Sequence, residues 1–298
     1  MKHDSVLLNE AIEGLRIQPN GIYVDGTLGG GGHAEAILKQ LKTGFLFAFD
    51  QDPFAIAYAQ KRLEKYPHFQ LINRNFIHLE ESLNELGVTL IDGLLLDLGM
   101  SSFQIDDANR GFSYLEETSL DMRMDPNQTL TAETIVNTYE FAELRRIFTV
   151  YGEEKMAHQI AKRIVDSRPL KTTSDLVKIT DQVNRNQKGH SAKRVFQALR
   201  IAVNNELDVL EAVLKQALRV VKPGGRIVVI SFHSLEDRIV KHFFKEESTS
   251  KLPKNFPGLI DETFNLKVIT RKPILPTEAE MNENPRAKSA KLRIAERI

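Results

Sequence analysis

The run Val24-Asp25-Gly26-Thr27-Leu28-Gly29-Gly30-Gly31-Gly32-His33 constrains this chain more than any other stretch. An apolar segment, Ile22-Tyr23-Val24, precedes it, and a helical pattern from Ala34 to Leu41 follows. Strand, glycine-rich turn and helix in that order make the first unit of a doubly wound α/β sheet, the place where such a sheet meets a nucleotide. Glycines let the backbone approach a ligand closely, and a helix start offers free N–H groups to an anion. The glycines alone do not choose the ligand. Gly29-Gly30-Gly31-Gly32-His33-Ala34 also fits the loose G-x-G-x-x-G/A pattern of nicotinamide and flavin proteins.

Asp25 is the discriminator. A dinucleotide places a pyrophosphate in the first turn, where a carboxylate at the strand tip would repel it. S-adenosylmethionine has no phosphate, and its methionine end carries an ammonium, a carboxylate and a sulfonium. An acid at the strand tip suits the cations, and the N–H groups after Gly31 and Gly32 suit the carboxylate. A second apolar run, Phe45-Leu46-Phe47-Ala48-Phe49, ends in Asp50, placed to hold ribose hydroxyls. Asp50 supports an adenosine ligand without separating the two cofactor classes. The plain alternative is a glycine-rich turn in which Asp25 only caps a helix.

Composition bounds the rest. With 298 residues and 42% hydrophobic content, the chain can bury a full core and a second, smaller domain. No stretch approaches a membrane span, and Met1-Lys2-His3-Asp4 does not read as a signal peptide. Cysteine is absent, which excludes disulfides and thiolate metal sites and fits the cytoplasm. The formal charge is zero, so any argument for nucleic acid must be local.

Strand patterns at 22–25, 45–49, 69–73 and 91–97 alternate with helical patterns near 33–41, 53–65 and 76–86. Repeated units of this kind predict a parallel sheet covered on both faces. After Asp97-Leu98-Gly99-Met100-Ser101-Ser102 the alternation stops. A polar stretch, 103–130, leads into helical spacing at 140–151, 153–167 and 191–221. Lys222-Pro223-Gly224-Gly225 reads as the stop of the last helix, and Arg226 to Ser231 as a buried strand. Leu266 to Arg271 and Ala290 to Ala295 are expected to be the last strands. The fold class expected is α/β: a discontinuous domain, 1–105 with 206–298, interrupted by a helical insertion, 106–205.

Four strand ends collect polar groups where a ligand of such a sheet binds: Asp25, Asp50, Asp97 and Ser231. Asp97 should face the transferable group, or else it caps a turn. Phe76 fits against an adenine or, equally, into the core. Ser231-Phe232-His233-Ser234-Leu235-Glu236-Asp237-Arg238 is too compact for a Ser-His-Asp triad. His233 and Asp237 lack a third ligand, so no metal is assigned, and the stretch reads as a substrate-side loop with Ser234 as a helix cap. Basic residues gather in two places: Arg286, Lys288, Lys291, Arg293 and Arg297 near the end, and Lys188, His190, Lys193, Arg194 and Arg200 in the insertion. A phosphate backbone needs such clusters, and an ordinary solvated surface also carries them.

Several longer motifs resemble one family. They are Asp25 to His33, Leu95-Leu96-Asp97-Leu98-Gly99, Arg110-Gly111-Phe112-Ser113, Leu120-Asp121-Met122-Arg123-Met124-Asp125, Ser231 to Lys241, and Asn284-Pro285-Arg286-Ala287-Lys288. The chain is identified, from His3 to its end, as similar to the bacterial small-subunit ribosomal RNA methyltransferase H family, also called MraW. The resemblance implies a Rossmann-like S-adenosylmethionine-dependent methyltransferase domain with an inserted all-helical domain. It implies methylation of the exocyclic N4 amine of a cytidine in the decoding region of 16S rRNA. Carried over position by position, it implies cofactor contacts at Gly31, Gly32, His33, Asp50, Phe76, Asp97 and Gln104. For RNA, Lys193, Arg194, Arg286 and Lys288 are the candidates.

Cytosine's exocyclic nitrogen is a weak nucleophile, because its lone pair is delocalised into the ring. An acceptor at Asp97, Ser101 or Ser231 could turn that pair toward the methyl and take hydrogen bonds as charge develops. The Pro-Pro-Tyr/Phe tetrapeptide of many amino-methyltransferases is missing, and Leu98-Gly99-Met100 stands in its place. Two other functions remain open to the sequence: methylation of a small molecule or protein, and a non-catalytic RNA-binding assembly role. The expected partners are small-subunit rRNA or the subunit itself, without a membrane, and a homodimer is the default oligomer.

Overall fold

The computed structural model describes residues 5–185, 189–249 and 264–298, so Lys188, His3 and Asp4 lie outside the described residues. The chain forms two compact units, 1–99 with 207–298, and 100–206.

The first unit is built on seven strands: β1 (Ile22–Asp25), β2 (Phe45–Phe49), β3 (Phe69–Ile72), β4 (Ile91–Asp97), β5 (Val221–Ser231), β6 (Leu266–Val268) and β7 (Lys291–Arg297). Their order is β3-β2-β1-β4-β5-β7-β6. β1 to β5 run parallel, and β7 enters antiparallel between β5 and β6. The order reverses between β1 and β4, which opens a crevice at the carboxyl ends of those strands.

Strand residues alternate between two cores, as a pleat with both faces covered requires. Tyr23, Leu46, Ala48, Leu95, Val228 and Ile230 face one core. Helices α1 (Leu8–Leu15), α2 (Gly32–Leu38) and α3 (Pro53–Leu63) pack there. Val24, Phe47, Phe49, Leu94, Leu96, Ile227 and Val229 face the other. That side is covered by α4 (Leu79–Glu85), α11 (Glu206–Val220) and α12 (Ser234–Glu246). Asp52 starts α3 by accepting the Phe54 N–H at 3.0 Å, with Pro53 at the first helical position where no N–H is needed.

The second unit carries α5 (Ser102–Asp106), α6 (Ala132–Thr138), α7 (Phe141–Val150), α8 (Ala157–Asp166), α9 (Thr173–Val183) and α10 (Lys193–Asn204). Leu144, Phe148, Ile160, Ile164, Leu176 and Leu199 are among the side chains of its own core. The motif 120–125 is fastened inside this unit. The Asn204 side chain accepts the Met124 N–H and donates to the Met122 carbonyl, both at 2.8 Å, and Arg110 donates to the carbonyls of Arg123 and Met124. The last short helix of the chain, α13 (Glu278–Glu283), belongs to the first unit.

Three details differ from expectation. The helical pattern 191–221 breaks at Asn205, whose φ of 49° ends α10 before α11 begins. The last helix stops at Val220, just before Lys222-Pro223-Gly224-Gly225 as expected, but these residues are not a loop: β5 starts at Val221 and bulges through them. Between the pairs Ile91↔Val221 and Gly93↔Arg226, β4 advances two residues and β5 five. The cap of α12 is His233 rather than Ser234. Its ring accepts the Glu236 N–H, while Glu236 accepts the N–H groups of Phe232 and His233. Among the described residues no helix is long and apolar enough to cross a membrane.

Candidate active site

Asp25 ends β1 and is fully buried. One carboxylate oxygen accepts the Thr27 N–H at 3.0 Å, and the other has no hydrogen-bond partner. Burial pushes its pKa up to about 7 against that hydrogen bond, and the neighbouring Asp50 charge adds to the rise. Asp97 ends β4, on the next strand. Thr27 joins the two ends, because its hydroxyl oxygen accepts the Asp97 N–H at 2.6 Å. The Asp97 side chain is 23% accessible, yet its Oδ1 is buried and unpartnered. Burial holds this acid well above the usual carboxylate range, helped by the charges of Asp25 and Glu236.

His33 sits in the first turn of α2, buried between two elements. Its Nε2 lies 3.1 Å from the Val6 carbonyl and its Nδ1 3.5 Å from Asp97 Oδ2. A carbonyl only accepts, so Nε2 carries the hydrogen and Nδ1 presents a lone pair to Asp97. Burial lowers the ring's pKa to about 4, which keeps it neutral at pH 7. Two acceptors facing each other need a proton between them, and the raised Asp97 carboxyl supplies one.

The turn itself is fixed from both sides. Gly29 and Gly31 have φ of 48° and 74°, and the Gly29 N–H donates to Asp50 Oδ2 at 2.9 Å. Asp50 also accepts the Asp52 N–H, which links the turn to the start of α3. Arg62 on α3 donates to the Gly30 carbonyl at 3.0 Å and to Glu35 of α2 at 2.8 and 2.9 Å. Burial raises Glu35, but hydrogen bonds from Lys65, Arg62 and Tyr66 outweigh it and bring the pKa to about 2. A methyl group on Gly32 would overlap Ser5 Oγ, so a side chain there requires that hydroxyl to turn away. No side chain caps α2.

Phe76 begins a short 3-10 turn, Phe76–His78, and packs half-buried against the second core. Its Cβ, with Leu96 Cδ2, crowds the place a side chain on Gly26 would take. Ser231 is buried, and its hydroxyl is 3.3 Å from the Lys291 carbonyl of β7, to which it donates. Ser101 and Gln104 belong to the second unit and bond one another: Ser101 Oγ accepts the Gln104 N–H, and Gln104 Oε1 accepts the Ser101 N–H. Of the three acceptors weighed for catalysis, only Asp97 keeps a buried oxygen without a partner among the described residues.

Sequence reasoning did not single out Thr27, which couples the two acids, nor Glu236, whose charge bears on Asp97. Thr27 stood in the quoted run, but only its contact with Asp97, 70 residues on, gives it a role. The terminal basic cluster is not one surface. Arg293 is buried against Asp237 at 2.6 Å, and Arg297 donates to the Leu218 and Asn265 carbonyls. Arg286 and Lys288 are exposed; in the other unit, Lys193 is exposed and Arg194 is partly buried.

Residues 1–298 match the MraW methylase family over the whole chain. The chain belongs to the MraW methylase family. Two relatives bear the same stamp. Ribosomal RNA small subunit methyltransferase H 1 of Acholeplasma laidlawii (strain PG-8A) is 58% identical over 297 residues, covering 100% of this chain and 99% of its own. Ribosomal RNA small subunit methyltransferase H of Onion yellows phytoplasma (strain OY-M) is 55% identical, covering 98% and 96%. The chain is thus a methyltransferase, and its methyl donor is S-adenosylmethionine. The MraW site suits that donor: the buried Asp25 oxygen without a partner fits its cations, and the uncapped start of α2 fits its carboxylate.

Proposed function

We propose that this MraW methylase methylates the exocyclic N4 amine of a cytidine in the decoding region of small-subunit rRNA. The observation that carries the reading is Asp97: a buried, unpartnered carboxyl oxygen at the switch point of a methylase whose relatives are named for ribosomal RNA. Asp25, Gly31, Gly32, His33, Asp50, Phe76 and Gln104 would hold the donor. When bound, S-adenosylmethionine supplies an electrophilic methyl on a sulfonium.

The chain's own residues orient the acceptor. Asp97 Oδ1 accepts an N–H of the cytosine amine, which turns the nitrogen lone pair out of ring conjugation and toward the methyl. The amine nitrogen gains the methyl as the methyl–sulfur bond breaks and becomes acidic, and its proton leaves to water, because the Asp97 carboxyl already holds one. His33, neutral and fixed through Val6, sets which Asp97 oxygen keeps the hydrogen bond inside the protein and which faces the substrate. The helical unit 100–206 is the substrate-recognition domain in this reading, with Lys193 and Arg194 of α10 toward the phosphates.

Labelled S-adenosylmethionine, small subunits from cells lacking the protein, and nucleoside analysis form the test. Label in N4-methylcytidine is expected, and Asp97→Asn should lower the rate by about 10²–10⁴-fold while the donor still binds. Label in another nucleoside, or none although the donor binds, overturns the substrate. Full activity of Asp97→Asn overturns the role of Asp97.

A further inference from the structure

The family motif from Ser231 to Lys241 runs down α12, away from the active site, and its last residue has no part in the chemistry above. Lys241 opens a groove of about 500 Å³ between α12 and the edge strand β6. Its floor is apolar: Phe244 and Leu266, both buried, with Val268 beside them. Its rim is cationic. Lys241 and Lys245 project from one face of α12 at i and i+4, and Lys267 and Arg271 stand across from them on and after β6. All four are exposed, and no acid of the described residues is among those lining the groove. Lys291 and Arg293 nearby are already paired with Asp237, so the rim carries the unneutralised charge. Phe264, 38% exposed, adds an aromatic face at the mouth.

A cationic track over an apolar floor with an exposed aromatic ring is the chemistry that binds a single nucleic-acid strand: charges follow the backbone and a ring stacks on a base. On a protein of zero formal charge, four cations on one groove with no acid partner among the described residues are a local excess. The groove is also in reach of the site. Lys241 lies eight residues beyond the cap His233, which is about 12 Å along the helix axis.

We propose that the α12–β6 groove holds a single-stranded RNA segment next to the target nucleotide. This rests on the rRNA reading above and adds to it a surface that the reading does not need. The strand's phosphates pair with Lys241, Lys245, Lys267 and Arg271, and one base stacks on Phe264.

The test is fluorescence anisotropy with a short fluorescein-labelled single-stranded RNA of mixed sequence, titrated over a range of salt. The proteins are wild type, the double variant Lys241→Glu/Lys245→Glu, and Phe264→Ala. The exposed positions should leave donor binding unchanged, which serves as the folding control. Removing two phosphate contacts should reduce the slope of log K against log salt by about 1.4. Phe264→Ala should weaken binding about fivefold or more with little change in slope. An unchanged slope in the double variant overturns the proposal, as does a wild type that does not bind this RNA. Tighter binding of an RNA duplex than of the single strand overturns it too. Methylation of small subunits is assayed separately: a wild type that methylates them while the groove variants bind RNA normally loses the groove and keeps the function. The reverse pattern loses the function and keeps the groove.

Discussion

At the scale of single residues, the site is built from groups that the fold itself disfavours. Asp25 has a pKa near 7 in the folded chain against 3.8 as its ordinary value, with burial as the chief cause. Below pH 4 both folded and unfolded states hold the proton, so the residue costs nothing. Between about 4 and 7 the unfolded state releases it and the folded state does not, so stability falls as pH rises through that window. The full cost above pH 7 is of the order of a few kcal/mol. His33 acts in the other direction: its pKa is lowered to about 4, so the fold loses stability as pH falls from about 6.5 toward 4. Asp25→Asn should therefore raise the melting temperature of the donor-free protein at pH 7.5, with the gain shrinking to nothing near pH 4. The same variant should bind S-adenosylmethionine at least tenfold more weakly. Calorimetric scans across pH and a donor titration check both halves; a variant less stable than wild type at pH 7.5 refutes the cost assigned to Asp25.

At the scale of elements, the glycine turn works because α2 and α3 hold it. Arg62 reaches from α3 to the Gly30 carbonyl and to Glu35 of α2, and touches neither acid of the site. Arg62→Met removes a forked charge pair and leaves Glu35 with Lys39, Lys65 and Tyr66. It should cost about 1–3 kcal/mol of stability and loosen the turn. The donor dissociation constant should then rise several-fold, with less effect on the rate at saturating donor. Arg62→Lys should recover little, because a point charge cannot bridge both partners. Elements of this first unit were also the legible ones. β1, β2 and β4 lie where their apolar runs predict, because a parallel strand buried on both faces cannot hide its composition. The start of β5 was not legible: Pro223 and Gly224 signal a break, and only pairing with β4 makes the segment a bulged strand. The cap of α12 was missed for a related reason. Ser234 is the usual capping type, but the ring of His233, held by Glu236, takes the position.

At the scale of the whole molecule, zero net charge means that attraction to RNA depends on where charges are left unpaired. Counting along the sequence cannot show this. The terminal run looks uniformly basic, yet β7 lies inside the sheet between β5 and β6, so Arg293 turns inward to Asp237, 56 residues away. The strand-end acids were legible because their place follows from the order of strands. Pairing partners were not, because they come from distant parts of the chain. In the helical unit, Lys193 and Arg194 open α10, and Arg194 makes one 3.3 Å contact with the Glu153 carbonyl and no ion pair among the described residues. The double variant Lys193→Glu/Arg194→Glu should raise KM for small subunits about tenfold or more at moderate salt, with the donor constant unchanged and the loss growing as salt is lowered. If α10 and the α12–β6 groove contact the same RNA through separate phosphates, combining both pairs of substitutions should give losses that add in log K. A combined loss no larger than either pair alone would mean that only one of the two surfaces meets RNA, and the surface whose reversal alone leaves KM unchanged is the one to discard.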